Sequence, residues 1–318
     1  MNAVPQVDRE LVDVGSLDRK SYLGGGDIAA LLGADPYRTP LDVFYAKTAD
    51  LRPRVEPIDS KAARRKQRGK KLEPYVLEML QEEHAIEVVA RNHRYRDPLY
   101  AFMAAEVDFE WRRPGTPDVF NGEIKTVHPF AAGQWGDAET GDVPIQYAAQ
   151  SMYGLMITGR AFCQYAVLFG ADDLTLYHVE RDEDMIASMR ETAVKFWRDH
   201  VMTGTPPPPR TFADLKTLWP RDTGKTFAAD SDFALLVEAY EIARDRETAA
   251  KDAANEARFA ILSAMEDCSA AMFEGRKLCT YKAQTSKRLD TDAIKREAPD
   301  VYAKYLRESE VRVLRIAK

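Results

Sequence analysis

Apolar and polar positions alternate in recognisable periods along most of the chain. In LGGGDIAALLG (23–33), three glycines run into Ile28, Leu31 and Leu32, a short helical stripe with Asp27 at its start and Gly33 as its stop. A second short helix is expected at 40–48 and a loop with Pro53 and Pro57 at 52–60. Leu72, Val76, Met79 and Leu80 fall on one face of a long helix over 60–83. Three strand-like runs follow at 86–95, 99–109 and 119–127, then an amphipathic helix at 145–158. Strands at 161–169 and 173–180 and a helix at 183–202 complete this part. Helices before, between and after two groups of strands predict an α/β domain with a mixed sheet.

TGTPPPPR (203–210) interrupts the pattern, because four consecutive prolines cannot continue a helix. The expected division is a first domain over 1–209, a linker over 210–230 and a C-terminal accessory module over 231–318. That module begins as a long Ala/Glu/Lys/Arg-rich helix at 231–267. It ends in β-prone pieces, AMFEGRKLCTYKA and VRVLRI, around a short helix at 290–306.

Charge and composition narrow the function classes. The 318 residues carry a net charge of −6, which excludes an indiscriminate nucleic-acid binder. Yet residues 61–71 hold seven Lys/Arg and no acid, and residues 268–318 hold 12 basic against 7 acidic residues. No apolar run reaches the roughly 18–20 residues that span a bilayer. The N-terminus has no basic start and no apolar core, so a cytoplasmic protein is expected. Three scattered cysteines and five histidines without ligand spacing argue against zinc, iron–sulfur or disulfide chemistry. No nucleophile elbow and no P-loop is present.

What remains is carboxylate chemistry. Inside a strand, Glu123 and Lys125 point to one side and Ile124 to the other, about 6.6 Å separating the two outer Cα atoms. Such a pair lets a carboxylate hold a hard cation while the ammonium reaches water or a phosphate oxygen; Asp108, ending the strand before, would bring a second carboxylate. An acid-x-Lys triplet alone is usually a surface pair. The constellation with Glu73 upstream and Gln150 downstream is what raises it above that. Arg64, Arg65 and Arg68, just before Glu73, suit contact with a nucleic-acid backbone. Backbone N–H groups at Gly24–Asp27 offer a seat for a phosphate.

The order LGGGDIAALLGADPYRTPLDVF, RGKKLEPYV, AAEVDF, GEIKT, Trp135 and VPIQYAAQSMYGLMITG resembles the YqaJ-type viral recombinases. These are relatives of phage lambda exonuclease among the PD-(D/E)XK nucleases. The resemblance covers about 19–200 and implies a restriction-endonuclease-like core, a mixed β-sheet flanked by helices. It implies that Asp108, Glu123 and the Ile124 carbonyl coordinate Mg²⁺, with Mn²⁺ as a substitute and two ions in the site. Glu73 would help hold the second ion, Lys125 would orient the attacking water, and Gln150 would bond near Lys125. Arg19 matches the position that contacts a 5′-terminal phosphate, with Gly25 and Gly26 beside it. The family usually has serine where Gly26 stands, and a small or hydroxyl residue where Glu106 stands. The implied activity is a 5′-to-3′ exonuclease on double-stranded DNA ends that leaves 3′ overhangs in phage or prophage recombination, in a bacterial host. The implied partners are a single-strand annealing protein and further copies of the chain in a trimer. An endonuclease or branched-DNA nuclease with the same metal core, or a non-cleaving recombination mediator built on the basic C-terminal piece, are the alternatives.

Overall fold

The computed structural model describes residues 11–12, 18–48, 60–308 and 310–317. It divides into two compact units, Met1–Leu218 and Trp219–Lys318.

In the first unit, β1 (Leu11–Val12), β2 (Glu87–Arg96), β3 (Ala104–Arg112), β4 (Phe120–Val127), β5 (Phe162–Phe169) and β6 (Asp173–Glu180) form one sheet in chain order. All neighbours are antiparallel except β4 and β5, which run parallel. That parallel pair needs a crossover, supplied by α4 (Ile145–Thr158), whose C-terminus closes on Gly159 at φ +74°. The result is the mixed α/β layer that the order of elements predicts.

Two apolar cores sit on opposite faces of the sheet. On one, α1 (Gly25–Leu31), α2 (Pro40–Lys47), α4 and α5 (Glu183–Phe196) surround Phe44, Tyr153, Met156, Tyr165 and Val167. On the other, α3 (Ser60–Glu83) lays Val76, Leu77 and Leu80 against Phe109, Trp111, Ile124 and Leu168. This is the apolar stripe read from the 60–83 periodicity, with Val76, Met79 and Leu80 in it as expected and Leu77 added.

Three boundaries differ from the sequence reading. The strand expected from residue 99 starts at Ala104, because the buried Asp97 carboxylate accepts from Leu99 and Tyr100 N–H and folds 97–103 into a turn. The helix over 183–202 is α-helical only to Phe196 and continues as one π turn over Trp197–Val201. The first part of the segment read as a linker over 210–230 contains α6 (Phe212–Leu218) and falls in the first unit, while the rest from Trp219 falls in the second. Buried Asp214 explains this: it accepts from the Thr39 hydroxyl at 2.9 Å and from Arg210 and Thr211 N–H, tying the chain after the prolines to the start of α2.

In the second unit, α7 (Ser231–Met265) leads to a hairpin of β7 (Ala270–Phe273) and β8 (Arg276–Thr280). Two short helices, α8 (Thr291–Glu297) and α9 (Pro299–Tyr305), replace the single one expected over 290–306, since Pro299 lacks the N–H to continue α8. VRVLRI carries no regular secondary structure and pairs with no strand among the described residues.

Candidate active site and phosphate seat

β3 and β4 pair only as far as Phe109 and Gly122. The ring of Phe109 lies over Gly122, where a Cβ would stand 2.3 Å from it. Only glycine admits that approach. Beyond it the strands part, and the Asp108 side chain takes the place of the missing ladder bond, its Oδ2 accepting from Ile124 N–H at 2.9 Å. Asp108 and Glu123 thus meet at the fork of two strands, while Ile124 faces the opposite core.

Glu123 is 5% exposed. Its Oε2 accepts from Lys125 Nζ at 2.7 Å and from Gln150 Nε2 on α4 at 2.8 Å. Burial pushes its carboxyl up to about 7; Lys125 opposes this and the adjacent Asp108 charge adds to it. Burial would lower Lys125, but Glu123 and Asp108 outweigh it and hold the ammonium well above its ordinary range. The Nζ also lies 5.5 Å from the Tyr147 ring and 5.7 Å from the Tyr165 ring, which confine it further. Glu73, half-buried on α3, is raised by burial and then by Asp108, with Lys70 and Lys125 pulling the other way. It shares the field of the same site.

Two abutting carboxylates balanced by one ammonium form a donor set suited to a hard divalent cation. Among the described residues no three Asp, Glu, His or Cys side chains close around one point. A cation at the fork would therefore rest on Asp108, Glu123 and backbone or water oxygens.

Glu106 shares the Asp108 face of β3, and its carboxylate is turned to Arg94 at 2.6 Å. The ion pair offsets the repulsion that a third acid would bring.

Next to the fork lies a concentration of positive charge. Asp27, third residue of α1 and 1% exposed, accepts from Gly24 N–H and pairs with Arg19 at 2.5 Å, Lys47 at 2.8 Å and Arg38 at 3.0 Å. Burial alone would raise its carboxyl; the three cations outweigh that and hold it well below the usual carboxylate range. Lys47 is sealed inside, and burial pushes it down to about 8, with Asp27 pulling upward and the Arg19 and Arg38 charges downward. Arg19 and Arg38 keep half and a third of their side chains exposed. The cluster touches the fork through Gly25, where a Cβ would stand 2.8 Å from Gln150 Cγ and 3.1 Å from its carbonyl oxygen. Gly26 faces open space.

Arg64, Arg65 and Arg68 lie exposed on the N-terminal half of α3, where Gly69 passes close to Thr126 at the end of β4. Trp135 is a buried anchor among Tyr147, Tyr165, Phe169 and Tyr177. The structure brings together Asp108, Glu123, Lys125 and Gln150, with Glu73 at the rim and Arg19, Gly25 and Gly26 adjoining. Sequence reasoning missed Arg38 and Lys47 as partners of Asp27, and Tyr147 and Tyr165 as the walls around Lys125. Long-range pairs leave no local period; only the apolar run Val43–Ala46 just before Lys47 in a short helix hinted at burial.

Residues 17–161 match the family of the YqaJ-like viral recombinase domain. The chain is 25% identical over 303 residues to the protein YqaJ of Bacillus subtilis (strain 168), covering 93% of this chain and 91% of that one. Among solved structures, the alkaline exonuclease LHK-Exo from Laribacter hongkongensis matches with a TM-score of 0.43 at 17% identity, over 59% of this chain and 91% of that one. A phage-related exonuclease from Haemophilus somnus 129PT matches with a TM-score of 0.37 at 12% identity, over 58% and 95%.

Proposed function

We propose that this chain, which carries a YqaJ-like viral recombinase domain over residues 17–161, is a divalent-cation-dependent exonuclease that trims duplex DNA ends during phage-type recombination. The observation that carries this reading is the strand fork: Asp108 and Glu123 meet there, and Lys125 and Gln150 both bond to Glu123. Mg²⁺, or Mn²⁺ in its place, would rest on Asp108, Glu123 and the Ile124 carbonyl, with Glu73 toward a second ion. When bound it supplies water activation and neutralises charge on the phosphodiester.

The chain's own residues do the rest. Lys125 is held charged between two carboxylates, so it orients water and offsets charge building on the phosphate oxygens. Gln150 fixes the free face of Glu123 and, through Gly25, keeps α1 at a set distance from the fork. Arg19 and Arg38, anchored on Asp27, present guanidinium edges to a terminal phosphate, which fixes the register of the end. Arg64, Arg65 and Arg68 track the backbone. Digestion from the 5′ end, delivery of the overhang to an annealing protein, assembly as a trimer and work in the bacterial cytoplasm complete the reading.

Linear duplex labelled at one 5′ or one 3′ end, incubated with and without Mg²⁺, tests it beside closed circles and Lys125→Ala. Early release of 5′-labelled mononucleotide, sparing circles and lost in the variant, is the expected result. Cut circles would move the assignment to an endonuclease. Binding without cleavage under Mg²⁺ or Mn²⁺ would end the enzyme reading.

A further inference from the structure

The second unit segregates its charge. Residues 231–267 hold nine acids and four cations, whereas residues 268–288 hold five cations, Arg276, Lys277, Lys282, Lys287 and Arg288, against the single acid Glu274. The hairpin places aromatic and aliphatic side chains among those cations. Phe273 pairs across with Arg276, and Leu278 stands at the register shift between the pairs Met272–Lys277 and Ala271–Cys279. Cys279 rests on Met265 at the end of α7 with 3.5 Å between sulfurs. Phe273 is 61% exposed, Leu278 55% and Tyr281 52%. Tyr281 extends the hairpin by donating its N–H to the Ser269 carbonyl, and Lys282 stands beside it.

Exposed apolar surface on so small an element needs a partner. The described ion pairs of this unit are Lys251–Glu247, Arg296–Glu297 and Arg221–Glu310, so the five cations are balanced by no acid there. Residues 281–290 carry no regular secondary structure, so Lys282, Lys287 and Arg288 lie on irregular chain that continues from the hairpin bearing Arg276 and Lys277. A line of cations interleaved with exposed rings matches a linear polyanion that has free π-faces. A duplex satisfies the cations but hides its bases. We propose that the β7–β8 hairpin and the chain through Arg288 form a seat for single-stranded DNA, with Phe273 and Tyr281 as stacking platforms. This seat lies outside the residues assigned to cleavage and binds whether or not the fork cuts.

The test is fluorescence anisotropy of the full chain on labelled oligothymidine and on a blunt duplex, with EDTA present so that nothing is digested. Replacing Arg276, Lys277 and Lys282 by glutamine is expected to weaken oligothymidine binding about tenfold or more. It should also make the slope of log affinity against log salt shallower by roughly two, at about 0.7 per single-strand phosphate contact. Phe273→Ala should weaken the single strand about tenfold and leave the duplex unchanged. Glu274→Lys, at the exposed turn, should tighten binding, which keeps the proposal testable if the triple variant fails to fold. Unchanged oligothymidine affinity in the folded variants would overturn it. Equal loss on duplex and single strand would overturn it too, by reducing the seat to bare charge attraction. A separate Mg²⁺ digestion of the duplex reads the nuclease assignment on its own, because its failure leaves the anisotropy result standing.

Discussion

At the scale of single residues, the two neighbouring glycines of α1 behave in opposite ways. Gly25 is pressed against Gln150, so Gly25→Ala must push that side chain away from Glu123. A displacement of about 1 Å at a reacting centre costs on the order of a hundredfold in rate. Gly25→Ala is therefore expected to lose cleavage by that order while its melting temperature changes little. Gly26→Ser meets nothing within 4 Å, so it should fold normally and add a hydroxyl beside Arg19 and Arg38. Comparing rates on 5′-phosphorylated and 5′-hydroxyl duplexes checks both variants. Asp27 makes a prediction in pH. Its folded pKa lies well below the ordinary 3.8, so its stabilisation is complete above about pH 4 and fades as pH falls toward the depressed value. Asp27→Asn leaves Lys47 buried beside two arginines, a loss of about 3–5 kcal/mol near neutral pH. Urea unfolding from pH 7 down to 3 should show the two proteins' stabilities converging below pH 4. A constant gap would contradict the ion-pair account.

At the scale of elements, the fork between β3 and β4 depends on one unusual contact. A Cβ on Gly122 would overlap the Phe109 ring, so Gly122→Ala should destabilise the first unit by about 1–3 kcal/mol. Shrinking the ring makes room, so Phe109→Leu combined with Gly122→Ala should lose less than the two single changes added together. A double-mutant cycle in urea measures that difference, and additive losses would refute the packing argument. This contact also marks how far the sequence could be read. GEIKT was legible because a strand's period of two puts Glu123 and Lys125 on one side whatever the surroundings. The helices at 25–31, 60–83 and 145–158 were legible because their apolar stripes repeat at 3.6 residues. The pairing of Asp27 with Lys47 was not, since residues 20 apart meet only after α1 and α2 pack. Nor was the late start of β3, where the buried Asp97 overrides the strand propensity of Leu99 and Tyr100.

At the scale of the whole molecule, the point of interest is where the first unit ends. Four prolines read as a boundary because they break a helix, yet a break in secondary structure is not a break in packing. After them the chain returns: Asp214 accepts from Thr39 at the first turn of α2, and Leu218 packs against the main core. Asp214 is buried, so its bonds to the Thr39 hydroxyl and to Arg210 and Thr211 N–H hold it out of water. Ending the chain at residue 209 would remove that carboxylate together with α6. The lost capping interaction is worth about 1–2 kcal/mol, and the exposed apolar surface under Leu218 adds to it. Ending it at 218 keeps every one of these contacts. Thermal unfolding of the two truncations should therefore separate them, the chain to 218 melting higher by several degrees. Asp214→Ala in the full chain should reproduce most of the difference without removing any backbone. If the chain to 209 melts as high as the chain to 218, the proline run is the true edge of the unit and the Thr39–Asp214 bond contributes nothing to its stability.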